Sequence, residues 1–209
     1  MLMRSPPARD RRQPPGFIRP CKPVPSLKVP TGPGWIHELK HDGFRIVAHK
    51  DGDEVRLWSR NGRNWTAEMV ATTAAVLALP AARIVLDGEA VAHCPKGLPD
   101  FNALLRRSGC ASACFYAFDI LQVGNEDLRG LALVERRALL RKHLRKAPPA
   151  LLFSEHLDGA DGEAMFRHAC ARPLSAPDGD NPDHPVGGRS NSSPKRYQSR
   201  VPPFGSVSV

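Results

Sequence analysis

The chain has 209 residues, of which 41% are apolar and 24% are charged. This composition is typical of a globular chain, and it excludes both a wholly disordered protein and one embedded in a membrane. No apolar run approaches the roughly 18 residues that a bilayer span needs, and the N-terminus lacks the apolar segment of an export signal. We therefore expect a cytoplasmic protein.

Charge and proline divide the chain into three parts. Residues 1–34 hold seven of the 30 basic residues and one of the 21 acidic residues, so much of the net charge of +9 lies there. Nine of the 21 prolines fall in the same segment and seven in residues 173–209. Because proline lacks an amide donor, it interrupts helices and strand ladders. We predict a basic, proline-rich arm over 1–34, an ordered domain over 35–172, and a disordered tail over 173–209.

The five cysteines are odd in number and irregularly spaced. This pattern favours reduced thiols over a disulfide framework. Cys110 and Cys114, taken with His93 and Cys94, form a weak zinc pattern.

The first half of the ordered part is predicted to be rich in strands. Segments 35–40, 44–51 and 54–60 have strand character, and the Asp-Gly pairs at 42–43 and 51–52 favour tight turns between them, which predicts an antiparallel meander. A helical pattern over 67–79 ends at Pro80. The strand RIVLDGEAVAH follows, with Gly88 as a bulge or a point of close approach.

The second half mixes strands and helices. CFYAFDILQV is a strongly apolar strand that closes at Gly124-Asn125, and LLFSE is a further strand. Helices are predicted over 100–107, 131–146 and 161–171, and the second of these carries a net charge of +5 that either faces water or follows a DNA backbone. Strands followed by tight turns predict an α+β class with an antiparallel sheet.

The strongest functional signal is the segment Lys40-His41-Asp42-Gly43-Phe44-Arg45. It places a lysine at the end of a strand, just before a turn. An ordinary lysine is protonated at neutral pH, and a nucleophile needs the free amine. Neighbouring cations such as Arg45 and a bound magnesium ion would lower the lysine pKa and would also neutralise phosphate charge. Taken alone, this segment favours a surface lysine on a hairpin over a nucleophile.

Three further segments follow in order: Ser59-Arg60-Asn61-Gly62, LDGEAV at 86–91 and FYAFDIL at 115–121. Together with the lysine segment they resemble the ATP-dependent DNA ligases, most closely the bacterial ligases of non-homologous end joining, over residues 16–171. The resemblance implies an α+β, antiparallel-sheet nucleotidyltransferase (ATP-grasp-like) adenylation domain. It further implies ATP and Mg²⁺ as cofactors, and DNA with nicks or breaks and end-joining repair proteins as partners, with no membrane.

The resemblance also implies roles for seven residues. Lys40 would attack the α-phosphate of ATP and form a lysyl-adenylate. The other six would hold the nucleotide: Glu38 and Leu39 at the adenine, Arg45 and Arg60 at phosphate and ribose, Glu89 at the ribose hydroxyl and the metal, and Phe118 stacked on the base. Each has a structural alternative, since Phe118 also fits a core position, Glu89 a solvated strand carboxylate and Arg60 a turn. The histidines at 37, 41 and 49 are predicted to lie on the surface.

The family pattern breaks at Arg172-Pro173. The ligases continue with an E-G-x-x-x-K segment, a K-x-K pair and an oligonucleotide-binding domain, and none of these is found in the sequence. Our hypothesis is a frameshift or a truncation, which leads us to expect weak or undetectable self-adenylation and no nick sealing by this chain alone. Two alternatives stay open: an RNA ligase or capping-type nucleotidyltransferase, and an inert nucleic-acid-binding remnant.

Overall fold

The structure is a computed structural model that describes residues 16–21, 36–38, 41–158 and 198–200. The predicted helix over 161–171, most of the arm and of the tail, and the two residues Leu39 and Lys40 lie outside this range. The elements in chain order are β1 (Ile36–Glu38), β2 (Phe44–Asp51), β3 (Glu54–Ser59), α1 (Val70–Leu77), β4 (Arg83–Val91), α2 (Phe101–Leu104), α3 (Arg107–Ala111), β5 (Cys114–Val123), β6 (Glu126–Asp127), α4 (Leu133–Leu144), β7 (Leu151–Phe153), β8 (His156–Asp158) and β9 (Gln198–Arg200).

The main sheet has the strand order β3-β2-β4-β5-β6, and β7 pairs with β5. The predicted hairpin of β2 and β3 is confirmed, with Asp51 paired to Glu54 across the turn. Strands β4 and β5 form over the predicted segments, and β2, β4 and β5 pair antiparallel. Only the short pairing of β7 with β5 is parallel among the strands that the structure describes.

Strand β1 does not join the main sheet, so the predicted meander is wrong at its first step. It pairs instead with β8 and β9 in a separate three-stranded sheet. The Asp42-Gly43 turn therefore leads the chain from one sheet to the other. Gly43 approaches β4 so closely that a Cβ at this position would overlap the carbonyl oxygen of Ala90. Strand β9 comes from the tail that the sequence analysis predicted to be disordered.

One face of the main sheet carries the hydrophobic core. Its largest buried side chains include Leu57, Ile84, Leu86, Phe115 and Ile120. Burial of each such side chain stabilises the fold by about 1.5–3 kcal/mol. Helices α1 and α4 contribute to the same cluster.

The opposite face of the sheet carries a smaller apolar cluster. Val47, Val85 and Leu121 are buried there, and Ile18 from the segment 16–21 packs against them. Phe17 of the same segment meets the Trp58 ring edge-on, with 6.5 Å between the ring centroids. This part of the predicted flexible arm is therefore packed against the folded unit.

Helix α4 presents an unusual buried face. Leu133, Leu140 and Leu144 are buried as the spacing predicts, but Arg137 is buried with them. The helix start is fixed by Glu135, whose carboxylate accepts a hydrogen bond of 2.9 Å from the backbone N–H of Ala132. Among the described residues, no helix combines the length and apolar character that crossing a bilayer requires.

Gly88 provides a test of the sheet packing. The β4–β5 register shifts between Asp87 and Gly88, and a Cβ at Gly88 would lie 2.5 Å from the Tyr116 carbonyl oxygen and 2.6 Å from the Phe115 ring. We expect Gly88→Ala to lower the free energy of unfolding by about 1–3 kcal/mol, because backbone or ring must move. Urea unfolding measures this loss.

The matched control is Gly130→Ala. A Cβ at Gly130 meets nothing within 4 Å, so this variant should unfold at nearly the wild-type urea concentration. Equal losses in the two variants would contradict the close approach at Gly88.

Candidate active site

Arg45 lies at the centre of a charged cluster on the face of the main sheet opposite the core. Its Nε and Nη2 donate to the two carboxylate oxygens of Asp87 at 2.6 and 2.7 Å, a bidentate ion pair. Its guanidinium carbon lies 4.3 Å from the centroid of the Phe118 ring. The side chains of Arg45 and Asp87 are 12% and 5% exposed. The site thus holds a cation that is nearly removed from water.

Two further carboxylates act on this cation. The β2–β4 register pairs Arg45 with Glu89, which is half-buried. Burial lowers the pKa of Arg45, but the charge and hydrogen bonds of Asp87, then the charges of Glu89 and Glu38, outweigh burial and hold this pKa above its ordinary value. Two predicted nucleotide-binding residues, Glu38 and Glu89, therefore lie within electrostatic reach of a third, Arg45.

Glu38 is held by Arg137 of α4. The Arg137 Nη1 donates to the Glu38 carboxylate and, at 2.8 Å, to the carbonyl oxygen of Phe118. The Nη2 donates to the carbonyl oxygen of Ser154 and lies 3.0 Å from His156 Nδ1. Glu38 and Arg137 are 3% and 2% exposed. A single guanidinium thus joins β1, β5 and the segment after β7.

On the other side of Lys40 in the sequence, His41 packs on β5. Its ring stacks on Tyr116 with 4.2 Å between the centroids, and its Nε2 lies 3.5 Å from the Ser154 hydroxyl. The Tyr116 hydroxyl lies in turn 3.1 Å from His93 Nε2. Burial, reinforced by Cys114, raises the pKa of Tyr116, so the phenol stays protonated at neutral pH. His41 is therefore not a free surface side chain as predicted, and His37 is fully buried.

The structure brings together four of the seven predicted residues: Glu38, Arg45, Glu89 and Phe118. Arg60 is exposed in the turn after β3 and follows Ser59, which pairs with Ile46, so it lies near the position of Arg45 in the sheet. Leu39 and Lys40 lie outside the described residues, between Glu38 and His41 in the chain. Phe118 is 5% exposed.

Sequence reasoning missed two charged residues of this site. Asp87 is the buried partner of Arg45, and the signal for it was its place two residues before Glu89, on the same face of the strand. Arg137 is the buried partner of Glu38, and the signal for it was its place four residues after Leu133 and three before Leu140, on the apolar face of α4.

The exposed basic surface of α4 is smaller than the net charge of +5 predicted for this helix suggested. Arg136 pairs with the largely buried Asp119 at 2.8 and 2.9 Å, and Arg141 pairs with the exposed Glu155 at 2.5 Å. With Arg137 buried, the exposed basic residues that follow are Lys142, Arg145 and Lys146.

Metal binding was assigned to Glu89 by resemblance. Within the part of the chain that the structure describes, no group of three or more His, Cys, Asp or Glu side chains could hold a metal ion. This includes the weak zinc pattern, and Cys94, Cys110 and Cys114 are free thiols.

The ion pair of Arg45 and Asp87 should matter for stability. In Asp87→Ala the buried guanidinium would lose its bidentate partner, and we expect the free energy of unfolding to fall by about 3–5 kcal/mol. The control is Asp51→Ala, which removes an ion pair to Arg83 between side chains that are 71% and 50% exposed, and should cost about 0–1 kcal/mol. Urea unfolding measures the free energy of unfolding of both variants. Similar losses in the two would contradict a stabilising role of the buried Arg45–Asp87 ion pair.

Comparison with known proteins identifies the family of the chain. Residues 19–169 match the family described as ATP dependent DNA ligase domain. The multifunctional non-homologous end joining protein LigD of Pseudomonas aeruginosa is 40% identical over 148 residues, which cover 69% of this chain and 18% of that protein. DNA ligase C of Mycobacterium tuberculosis is 40% identical over 119 residues, which cover 52% of this chain and 33% of that protein.

Solved structures give the same result. The ligase domain of M. tuberculosis LigD is 35% identical with a TM-score of 0.55, over 64% of this chain and 45% of that one. A mycobacterial DNA ligase D complexed with ATP and MES is 31% identical with a TM-score of 0.54, over 67% of this chain and 49% of that one. The chain spans less than half the length of these relatives. The residues that match this family make up most of the chain, and the chain therefore belongs to the ATP-dependent DNA ligase family.

Proposed function

We propose that this chain carries the nucleotide-activating step of ATP-dependent DNA strand joining, with Lys40 as the covalent nucleophile. The observation that supports this most is that Glu38, Glu89 and Phe118, drawn from separate segments of the sequence, lie around the guanidinium of Arg45. Carboxylates, an arginine and an aromatic ring are the chemical groups that bind a nucleotide, because they can accept from its hydroxyl groups, pair with its phosphates and stack on its base.

In this step the neutral amine of Lys40 attacks the α-phosphorus of ATP. A phosphorus–nitrogen bond forms, the bond from the α-phosphorus to the bridging oxygen breaks, and pyrophosphate leaves with the electron pair of that bond. The amine nitrogen loses a proton to solvent, and the product is an AMP group linked to lysine as a phosphoramidate. The contacts of Glu38 with Arg137 and of His41 with Tyr116 support this role, because they hold the residues on either side of the Leu39-Lys40 pair against the rest of the site.

Arg45 would supply positive charge near the α-phosphate. Its guanidinium is aligned by Asp87 before any substrate binds, so little reorganisation is needed as negative charge develops. Arg60, exposed beside it, would contact the ribose or phosphate. The arrangement places the buried cation and the exposed one at the same end of β2 and β3.

Leu39 and Phe118 would form the apolar surfaces for the base. Phe118 is nearly buried and carries Arg45 over its ring, so adenine stacking on it requires a local shift of the arginine. The half-buried Glu89 would accept from the ribose hydroxyl and would hold Mg²⁺. Magnesium, when bound there, neutralises phosphate charge and favours the free amine of a nearby lysine.

The proposed substrate is DNA with nicks or breaks. The similarity to proteins named for non-homologous end joining supports a role in break repair together with other end-joining proteins. Exposed Lys142, Arg145 and Lys146 at the end of α4 are suited to phosphate contacts, which give salt-sensitive affinity without sequence preference.

The test of this proposal is covalent labelling at Lys40. The protein is incubated with ATP radiolabelled in the α-phosphate and with magnesium, then analysed by denaturing electrophoresis. We expect a label that is lost in Lys40→Ala, because that variant lacks the amine. The matched control Lys142→Ala changes an exposed lysine and should keep the wild-type label. Because we expect the label to be weak, the variants are compared at equal protein concentration and equal exposure time of the gel.

Two outcomes would count against the proposal. A label in Lys40→Ala equal to that of the wild type would remove Lys40 as the nucleophile. If the wild type neither takes up label nor binds α,β-methylene-ATP, while DNA binding persists in Lys40→Ala, the inert nucleic-acid-binding alternative is favoured instead.

A further inference from the structure

Arg137 is the most deeply buried cation of the candidate site and belongs to none of the four ligase-like segments. It lies on α4 and is 2% exposed. Its donors meet the carboxylate of Glu38 and the carbonyl oxygens of Phe118 and Ser154, and its guanidinium lies 4.9 Å from the centroid of the Phe153 ring. A cation buried this fully is retained only where several acceptors surround it.

The pairing fixes the chemical state of Glu38. A guanidinium does not lose its proton in proteins, so the carboxylate beside it is stabilised in its ionised form. An ionised carboxylate can only accept hydrogen bonds, whereas a protonated one or an amide can also donate. Glu38, itself 3% exposed, is therefore kept as an acceptor with a fixed orientation.

An acceptor of this kind discriminates between purines. Adenine carries an amino group, a donor, where guanine carries a carbonyl oxygen, an acceptor. A carboxylate facing that edge of the base bonds the amino group and repels the carbonyl oxygen. We propose that Arg137, by holding Glu38 as an ionised acceptor, is a positioning residue that makes the site select adenine over guanine nucleotides. This inference rests on the proposed function, in which Glu38 contacts the base.

Neighbouring arginines on the same helix do not share this arrangement. Arg136 pairs with Asp119, and Arg141 pairs with Glu155 on the surface, so the guanidinium groups of these two arginines are directed to carboxylates other than Glu38. Arg141 still packs over the Phe153 ring, at 4.4 Å from its centroid. Arg141→Met is therefore a matched control, because it removes an arginine that lies on the same helix and packs on the same ring.

The experiment measures equilibrium binding rather than turnover. The probes are α,β-methylene-ATP and α,β-methylene-GTP, in which the bond that would break is blocked, titrated into the full chain and followed by tryptophan fluorescence. The quantity compared is the ratio of the Kd for the guanine probe to the Kd for the adenine probe. We expect the wild-type protein to bind the adenine probe more tightly.

In Arg137→Met the ratio should fall by about tenfold to a hundredfold, the range of one charge-assisted hydrogen bond. A buried carboxylate without its cation favours the protonated form, which can donate to the guanine carbonyl. Arg137→Lys keeps a cation and should retain most of the selectivity. Arg141→Met should leave the ratio unchanged.

Glu38→Gln tests the inference even if Arg137→Met fails to fold. It preserves the shape of the side chain but adds a donor, so it should lower the ratio in a protein whose thermal unfolding stays cooperative. A ratio that is unchanged in Glu38→Gln, or equal weakening of both probes in every folded variant, would overturn the inference and leave Arg137 a structural residue. A wild type that binds the adenine probe without preference would overturn the inference alone. A wild type that binds neither probe would overturn the proposed function as well.

Discussion

The site depends on one buried guanidinium, that of Arg137. Strand β1 makes its backbone ladder with β8 and β9, so a side chain, and not a strand ladder, ties Glu38 to the main sheet through the Phe118 carbonyl. Burying an unpaired charge is costly, so Arg137 favours a position of β1 that presents the Glu38 carboxylate to it. Glu38, which lies two residues before the proposed nucleophile Lys40, is thereby fixed by helix α4.

A second buried cation repeats this arrangement on the sheet itself. Arg45 is aligned by Asp87 and lies within the field of Glu89 and Glu38, so opposite charges alternate from Asp87 to Arg137 across the site. Charges held in this way are oriented before substrate arrives, which is the condition under which they contribute most to catalysis. The same alternation explains why charged residues are tolerated here with little exposure to water.

Local sequence signals predicted most of the fold but not its long-range pairings. The strands β2 to β5 and helix α4 follow from alternation and helical spacing, and Gly88 was correctly expected to be a point of close approach. The Asp42-Gly43 pair was expected to form a hairpin turn between paired strands, but it joins strands of two different sheets. Both kinds of turn use the same residue types, so the sequence does not distinguish them. Arg137 was assigned to a basic stripe because charge normally means exposure, although its spacing placed it among leucines. The partners that decide such cases lie far away in the sequence.

The pairing of β1 with β8 and β9 has a consequence for how the protein matures on the ribosome. Chains emerge N-terminus first, and early segments must wait for partners made later. Strand β1 is synthesised well before the two strands that flank it, which come from residues 156–158 and 198–200. The three-stranded sheet of a nascent chain is therefore incomplete until residues 198–200 have emerged from the ribosome.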